Sequence, residues 1–130
     1  MAKEKFPNSE FVHWHCHSEF SAFDGLAKIC DPVMYDKDGA DISHQNLVLK
    51  ARKMGFPAIA ITDHGNVAGW IKFINACSAS KDKNGNDIPY SPIKPILGEE
   101  FYLARKREWK DKKHQPDGRG GNRHLNLFAR

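Results

Sequence analysis

Histidine recurs at every second position in the stretch F-V-H-W-H-C-H-S-E-F-S-A-F-D-G, residues 11–25. In an extended segment successive side chains alternate faces. His13, His15 and His17 are therefore expected on one side, with Val12, Trp14 and Cys16 on the other. Imidazoles stacked on one face are costly to bury without partners, and imidazole is the commonest protein ligand for zinc-like ions. A divalent metal is the chemistry this spacing points to. The competing reading is a strand with its polar face in water, but histidine is not a favoured strand-surface residue. Asp24, just ahead of Gly25, adds a carboxylate on the following loop.

Further candidates come from elements that must bring them to the same place. Ser43 is a plausible N-cap for a helix with Leu47, Val48, Ala51 and Met54 at helical spacing, and Gly55 and Pro57 close it. Ala58 to Thr62 is a short, continuously apolar run. Directly after a helix it reads as a strand buried on both faces, the mark of a parallel sheet. It delivers Asp63 and His64 at its C-terminal end. A second helix is expected over 67–80, with Trp70, Ile71, Phe73, Ile74 and Cys77 on or near its apolar face. Another strand is expected within 93–103, interrupted at Gly98 and carrying Glu99 and Glu100. His124 opens a fourth strand over 124–128.

The connections are polar. Residues 29–42 are turn-rich, with Pro32 and the pair Asp38-Gly39, and 81–92 suggests a hairpin or insertion. No internal repeat stands out. Alternating strands and helices argue for an α/β fold with mainly parallel strands. Such sheets gather active sites at the strand C-termini, where His15, His17 and His64 are expected.

The 130 residues suit one domain, and 28% charged with 40% hydrophobic residues argue against global disorder. Cys16, Cys30 and Cys77 are odd in number and lack C-x-x-C spacing, which favours free thiols in a reducing compartment. With no apolar leader and no membrane-length run, a soluble cytoplasmic protein is expected. The net charge of +4 is unevenly placed: residues 105–123 hold eight bases against Glu108, Asp111 and Asp117. Such a stretch can attract a phosphate backbone, though a solvated basic loop reads the same way.

The segments H-C-H-S-E-F-S (15–21), I-T-D-H-G-N (61–66), P-I-L-G-E-E-F-Y (95–102) and H-L-N-L-F-A (124–129) resemble, in order, the motifs of the PHP (polymerase and histidinol phosphatase) domain. Residues 11–25 and 60–66 resemble more narrowly the N-terminus of the bacterial replicative DNA polymerase III alpha family. The resemblance implies a distorted β/α barrel holding up to three divalent ions (Zn, Mn or Fe). By position, His15 and His17 share one metal, Glu100 bridges it to a second held by His124, and Asp24 and His64 hold a third. Asp63 is expected to orient a ligand or to cap the following helix. His13 falls outside the ligand positions and is expected as a hydrogen-bonded core histidine, and Cys16 is expected to pack away from the metals. His44 and His114 are expected at the surface, Ser18 and Ser21 as loop-ordering hydroxyls, and Glu99 as the solvent-side neighbour of Glu100.

The same resemblance implies work on DNA with the remainder of a polymerase chain and replication proteins, including metal-dependent 3′–5′ exonucleolytic hydrolysis, and no membrane. Alternatives are a stand-alone phosphoesterase of small phosphate monoesters and a non-catalytic module stapled by metal. The loops over 31–43 and 81–92 are longer than the family pattern. The barrel's remaining strands, its last ligands and the polymerase carboxylates are expected beyond Arg130. The chain therefore reads as the N-terminal portion of a PHP barrel, incomplete by itself.

Overall fold

A computed structural model describes residues 10–22, 24–103 and 123–130. Strand β1 (Ala58–His64) pairs in parallel with β2 (Lys94–Leu103), aligning His64 with Glu100. Strand β3 (Arg123–Phe128) pairs antiparallel with β2, aligning Tyr102 with His124 and Glu100 with Asn126. The described sheet thus has order β1-β2-β3. The α/β expectation holds, and the described sheet is mixed: β1 and β2 are parallel as expected, and β3 is antiparallel. Residues 104–122 join β2 to β3 in sequence. That segment, including His114 and all of the basic run except Arg123, lies outside the described residues.

Helix α1 (Leu47–Lys53) is capped by Asn46, whose side chain accepts from the N–H groups of Val48 and Leu49 at 3.1 and 3.2 Å. Ser43 instead begins a separate 3-10 turn over Ser43–Gln45. Gly55 closes α1 as expected: its φ is +72°, and the Phe56 N–H reaches the Ala51 carbonyl at 3.1 Å. Helix α2 (Trp70–Ser78) starts later than its apolar pattern suggests. Gly69, just before it, sits where a Cβ would lie 2.9 Å from the Phe20 ring.

Both helices pack against β1 through a core of Ile29, Val48, Ile59, Ile61, Phe73 and Cys77. Arg52 of α1 is buried within this layer, with no carboxylate partner among the described residues. Its guanidinium donates to the carbonyls of Ala76, Ala79, Tyr90 and Ser91.

The two long loops fold alike and pack together. D-K-D-G-A-D (36–41) and D-K-N-G-N-D (82–87) each form a turn in which the first aspartate accepts the N–H groups two and four residues on, at 2.8–2.9 Å. Gly39 and Gly85 take φ of +82° and +85° at equivalent places. Asp82 also accepts from the Met34 N–H at 2.9 Å. Met34, Leu49 and Ile88 fill a second small core behind these loops.

The stretch predicted as a first strand runs parallel to β1 without forming a regular ladder. His13 bridges Ile59, and the carbonyls of His13 and Cys16 accept from Ala60 and Thr62 at 2.8 Å. Three residues on one side thus match two on the other, so the simple alternation fails. His13 is exposed and packs its ring against Phe11 and Phe56, and Trp14 turns edge-on to Phe128. The core position expected for His13 is corrected accordingly. Cys16 packs against the apolar core, and burial raises its thiol pKa to about 11.

Candidate metal centre

Strand pairing brings the site residues together. Glu100 sits mid-β2, 2% exposed, with β1 on one side and β3 on the other. Its neighbours across the ladders are His64 and Asn126, and His124 lies two pairs further along, opposite Tyr102. The irregular segment before β1 adds His15 and His17, and the loop after it adds Asp24.

All six candidates form one cluster around the Glu100 carboxylate. Oε2 lies 2.6 Å from His17 Nε2, 3.3 Å from His15 Nε2 and 3.2 Å from His64 Nδ1. Oε1 lies 2.8 Å from His124 Nδ1. Asp24 Oδ2 lies 2.6 Å from His17 Nδ1 and 2.5 Å from His64 Nε2. Three overlapping triads result: His15, His17 and Glu100; His17, Asp24 and His64; His64, Glu100 and His124.

The donor set fits divalent ions. A tetrahedral shell with bonds of about 2.0–2.1 Å places ligand atoms about 3.3 Å apart. The first triad's edges are 2.6, 3.0 and 3.3 Å, near that spacing and slightly contracted. His64 Nδ1 is buried without a hydrogen bond, although it lies near Glu100. A nitrogen in that position is suited to a cation. All three triads are nitrogen and oxygen donors, the chemistry of Zn, Mn or Fe rather than a thiolate site.

The carboxylates are held ionised. Burial alone would raise the Glu100 pKa, but hydrogen bonds from His15 and His17 and the charge of His64 bring it below the usual glutamate value. The hydrogen bond from His64 dominates in lowering Asp24, with His17 reinforcing it.

Asp63 is placed to support the ligand-bearing loop and not to cap α2. It is 2% exposed and accepts from the Ser18 N–H at 2.6 Å, Ser18 Oγ at 2.8 Å and Ser21 Oγ at 2.7 Å. Ser21 Oγ also accepts the His64 N–H at 3.1 Å. Asp63 therefore neither touches a candidate ligand directly nor caps α2; it ties the loop bearing Asp24 to the end of β1. Gly25 lets that loop close, since a Cβ there would fall 2.0 Å from the Ser18 carbonyl oxygen.

Ser18 and Ser21 thus order the loop as expected, His44 is exposed, and Glu99 faces away from Glu100 by strand alternation. Tyr102, which sequence reasoning passed over, stacks on His64 with centroids 5.5 Å apart. Its position two residues after Glu100 on the same strand was the available signal.

This face of a mixed sheet, with its clustered histidines and carboxylates, defines a class: the chain belongs to the PHP domain family, whose model matches residues 13–130. Among curated proteins it is similar to DNA polymerase III subunit alpha of Mycobacterium tuberculosis, at 34% identity over 93% of this chain. The proteins of the same name from Borreliella burgdorferi and Thermus aquaticus are 36% and 31% identical over 94% and 93% of it. The chain spans less than a tenth of the length of these relatives, 8–9%.

Proposed function

We propose that this chain supplies the metal-binding face of a PHP domain that hydrolyses phosphoesters within a DNA polymerase III alpha-type assembly. The carrying observation is Glu100, whose two oxygens face different histidines: Oε2 toward His15, His17 and His64, and Oε1 toward His124. A carboxylate so placed suits a bridge between two ions. In this reading His15 and His17 hold one ion with Glu100, His124 helps hold the second, and Asp24 and His64 a third. Bound divalent ions there would supply Lewis acidity for phosphoester hydrolysis.

The protein's own part is to keep Glu100 buried and ionised while the outer ligands face solvent. The side chains of His15, Asp24 and His124 are 52, 50 and 44% exposed, against 3% for Glu100. A substrate phosphate can thus approach from the outer rim. The basic composition of residues 105–123 supports a polyanionic partner. The similarity to proteins named DNA polymerase III subunit alpha supports DNA as that partner, and this reading assigns exonucleolytic trimming as the reaction. Among the described residues no helix is long and apolar enough to cross a membrane.

The test loads this chain with Mn²⁺ or Zn²⁺, counts bound metal, and assays a single-stranded oligonucleotide beside a small phosphate monoester. Metal binding with oligonucleotide hydrolysis, both lost in Glu100→Gln, is the expected result. Hydrolysis of the monoester alone would favour the stand-alone phosphoesterase, and metal without any hydrolysis the stapled module. Absence of stoichiometric metal would overturn the reading.

A further inference from the structure

We propose that Tyr102 is the stacking platform for the nucleobase whose phosphate occupies the Glu100 cluster, so that the site's substrate class is a nucleotide or strand end rather than a bare phosphate. The inference rests on the reading of that cluster as a phosphoester site. Tyr102 stands two residues beyond Glu100 on β2, on the same sheet face and about 7 Å further along the strand. That separation is comparable with the reach from a phosphate to the base of its own nucleotide.

Among the described aromatic rings, none stacks on the side of Tyr102 turned away from His64. His64 and Tyr102 lie nearly parallel, 14° apart, with centroids at 5.5 Å. His124 is 5.1 Å from the first ring and 5.0 Å from the second, at 75° and 88° to them. A ring about equally far from both members of a stack, and steep to both, lies beside the stack and not on top of it. The Tyr102 face turned away from His64 is therefore not covered by His124, and the residue is 52% exposed.

One exposed aromatic is by itself ordinary. This one is packed against two candidate metal ligands, so the tyrosine itself would lose little further freedom when a base stacks on it. Every nucleobase has a π-face, so the contact recognises nucleotides without selecting a sequence. Trp14 is comparably exposed, at 54%, but it leans edge-on against Phe128 at the other end of the sheet face.

The experiment measures binding of inorganic phosphate and of dAMP to the Mn²⁺-loaded chain by calorimetry, for wild type, Tyr102→Phe, Tyr102→Leu and Trp14→Leu, with metal content determined for each. The expected result is about tenfold tighter binding of dAMP than of phosphate, within the range of one stacked base. Tyr102→Phe and Trp14→Leu should keep that preference, and Tyr102→Leu should lose it at unchanged metal content and phosphate affinity. Equal affinity for the two probes in wild type, or a preference that survives Tyr102→Leu, overturns the proposal while the phosphoester site stands. Loss of metal and phosphate binding together in Tyr102→Leu would make the ring a mere support for His64, and overturns it too. If neither probe binds the loaded wild-type chain, the phosphoester site fails and the proposal with it.

Discussion

Replacing Asp63 tests whether the site is held from behind. The carboxylate accepts three hydrogen bonds of 2.6–2.8 Å in a place that is 2% exposed. In Asp63→Ala, the Ser18 N–H and the two serine hydroxyls lose their acceptor. A buried donor left unpaired costs about 1–3 kcal/mol, so a total of roughly 3–6 kcal/mol is expected after partial relaxation. For a domain of this size that corresponds to a fall in Tm of about 10–20 °C. Asp63→Asn keeps one acceptor oxygen in place for Ser18 N and Ser21 Oγ, and Ser18 Oγ can turn to accept from the new amide. It should cost about 1–2 kcal/mol, the charge assistance alone. Because the loop secured here carries Asp24, both variants should also weaken metal binding, Ala more than Asn. Thermal melts with and without Mn²⁺, together with metal content, read both effects. A Tm within 3 °C of wild type in Asp63→Ala, at full metal content, would refute the reasoning.

Other expectations follow from the same contacts. Glu100→Gln should remove at least one bound ion, while Glu99→Gln, on the opposite face, should leave metal content near wild type; elemental analysis decides. Gly25→Ala must push the Ser18 carbonyl aside and should cost about 1–3 kcal/mol, seen as a lower denaturation midpoint. Arg52→Met removes a charged donor from four carbonyls and should destabilise by on the order of 3 kcal/mol, measured by urea unfolding. Asp41 is a pH probe: burial pushes its pKa up, but hydrogen bonds from Lys53 and Ser43 prevail and hold it at about 2. A depressed carboxylate stabilises above its unfolded pKa and loses that contribution as pH falls. The Tm gap between wild type and Asp41→Asn should therefore be present at pH 7, small because the pair is exposed, and close between pH of about 4 and 2.

Much of the site was legible in the chain because its residues announce themselves locally. Continuous apolarity marked β1 as buried on both faces, helical spacing marked α1 and α2, and Gly55 marked a helix end that needs positive φ. His15, His17, Asp24, His64, Glu100 and His124 stood out as nitrogen and oxygen donors near strand ends, and the fold brings them within a few ångströms of one another. What escaped the sequence depends on partners distant along the chain. Ser43 and Asn46 are equally good capping residues, and only packing selects Asn46. The alternation of His13 with His15 and His17 fails because β1, more than forty residues away, accepts one extra residue between its hydrogen bonds. A polar segment between β2 and β3 does not state its direction of return, so the antiparallel pairing and the place of His124 beside Tyr102 came only with the sheet. Asp63 looks like a ligand helper or a helix cap from its neighbours in sequence. Its three actual donors lie 42 and 45 residues earlier, and hydrogen bonds over such separations are set by tertiary closure, which no local pattern encodes.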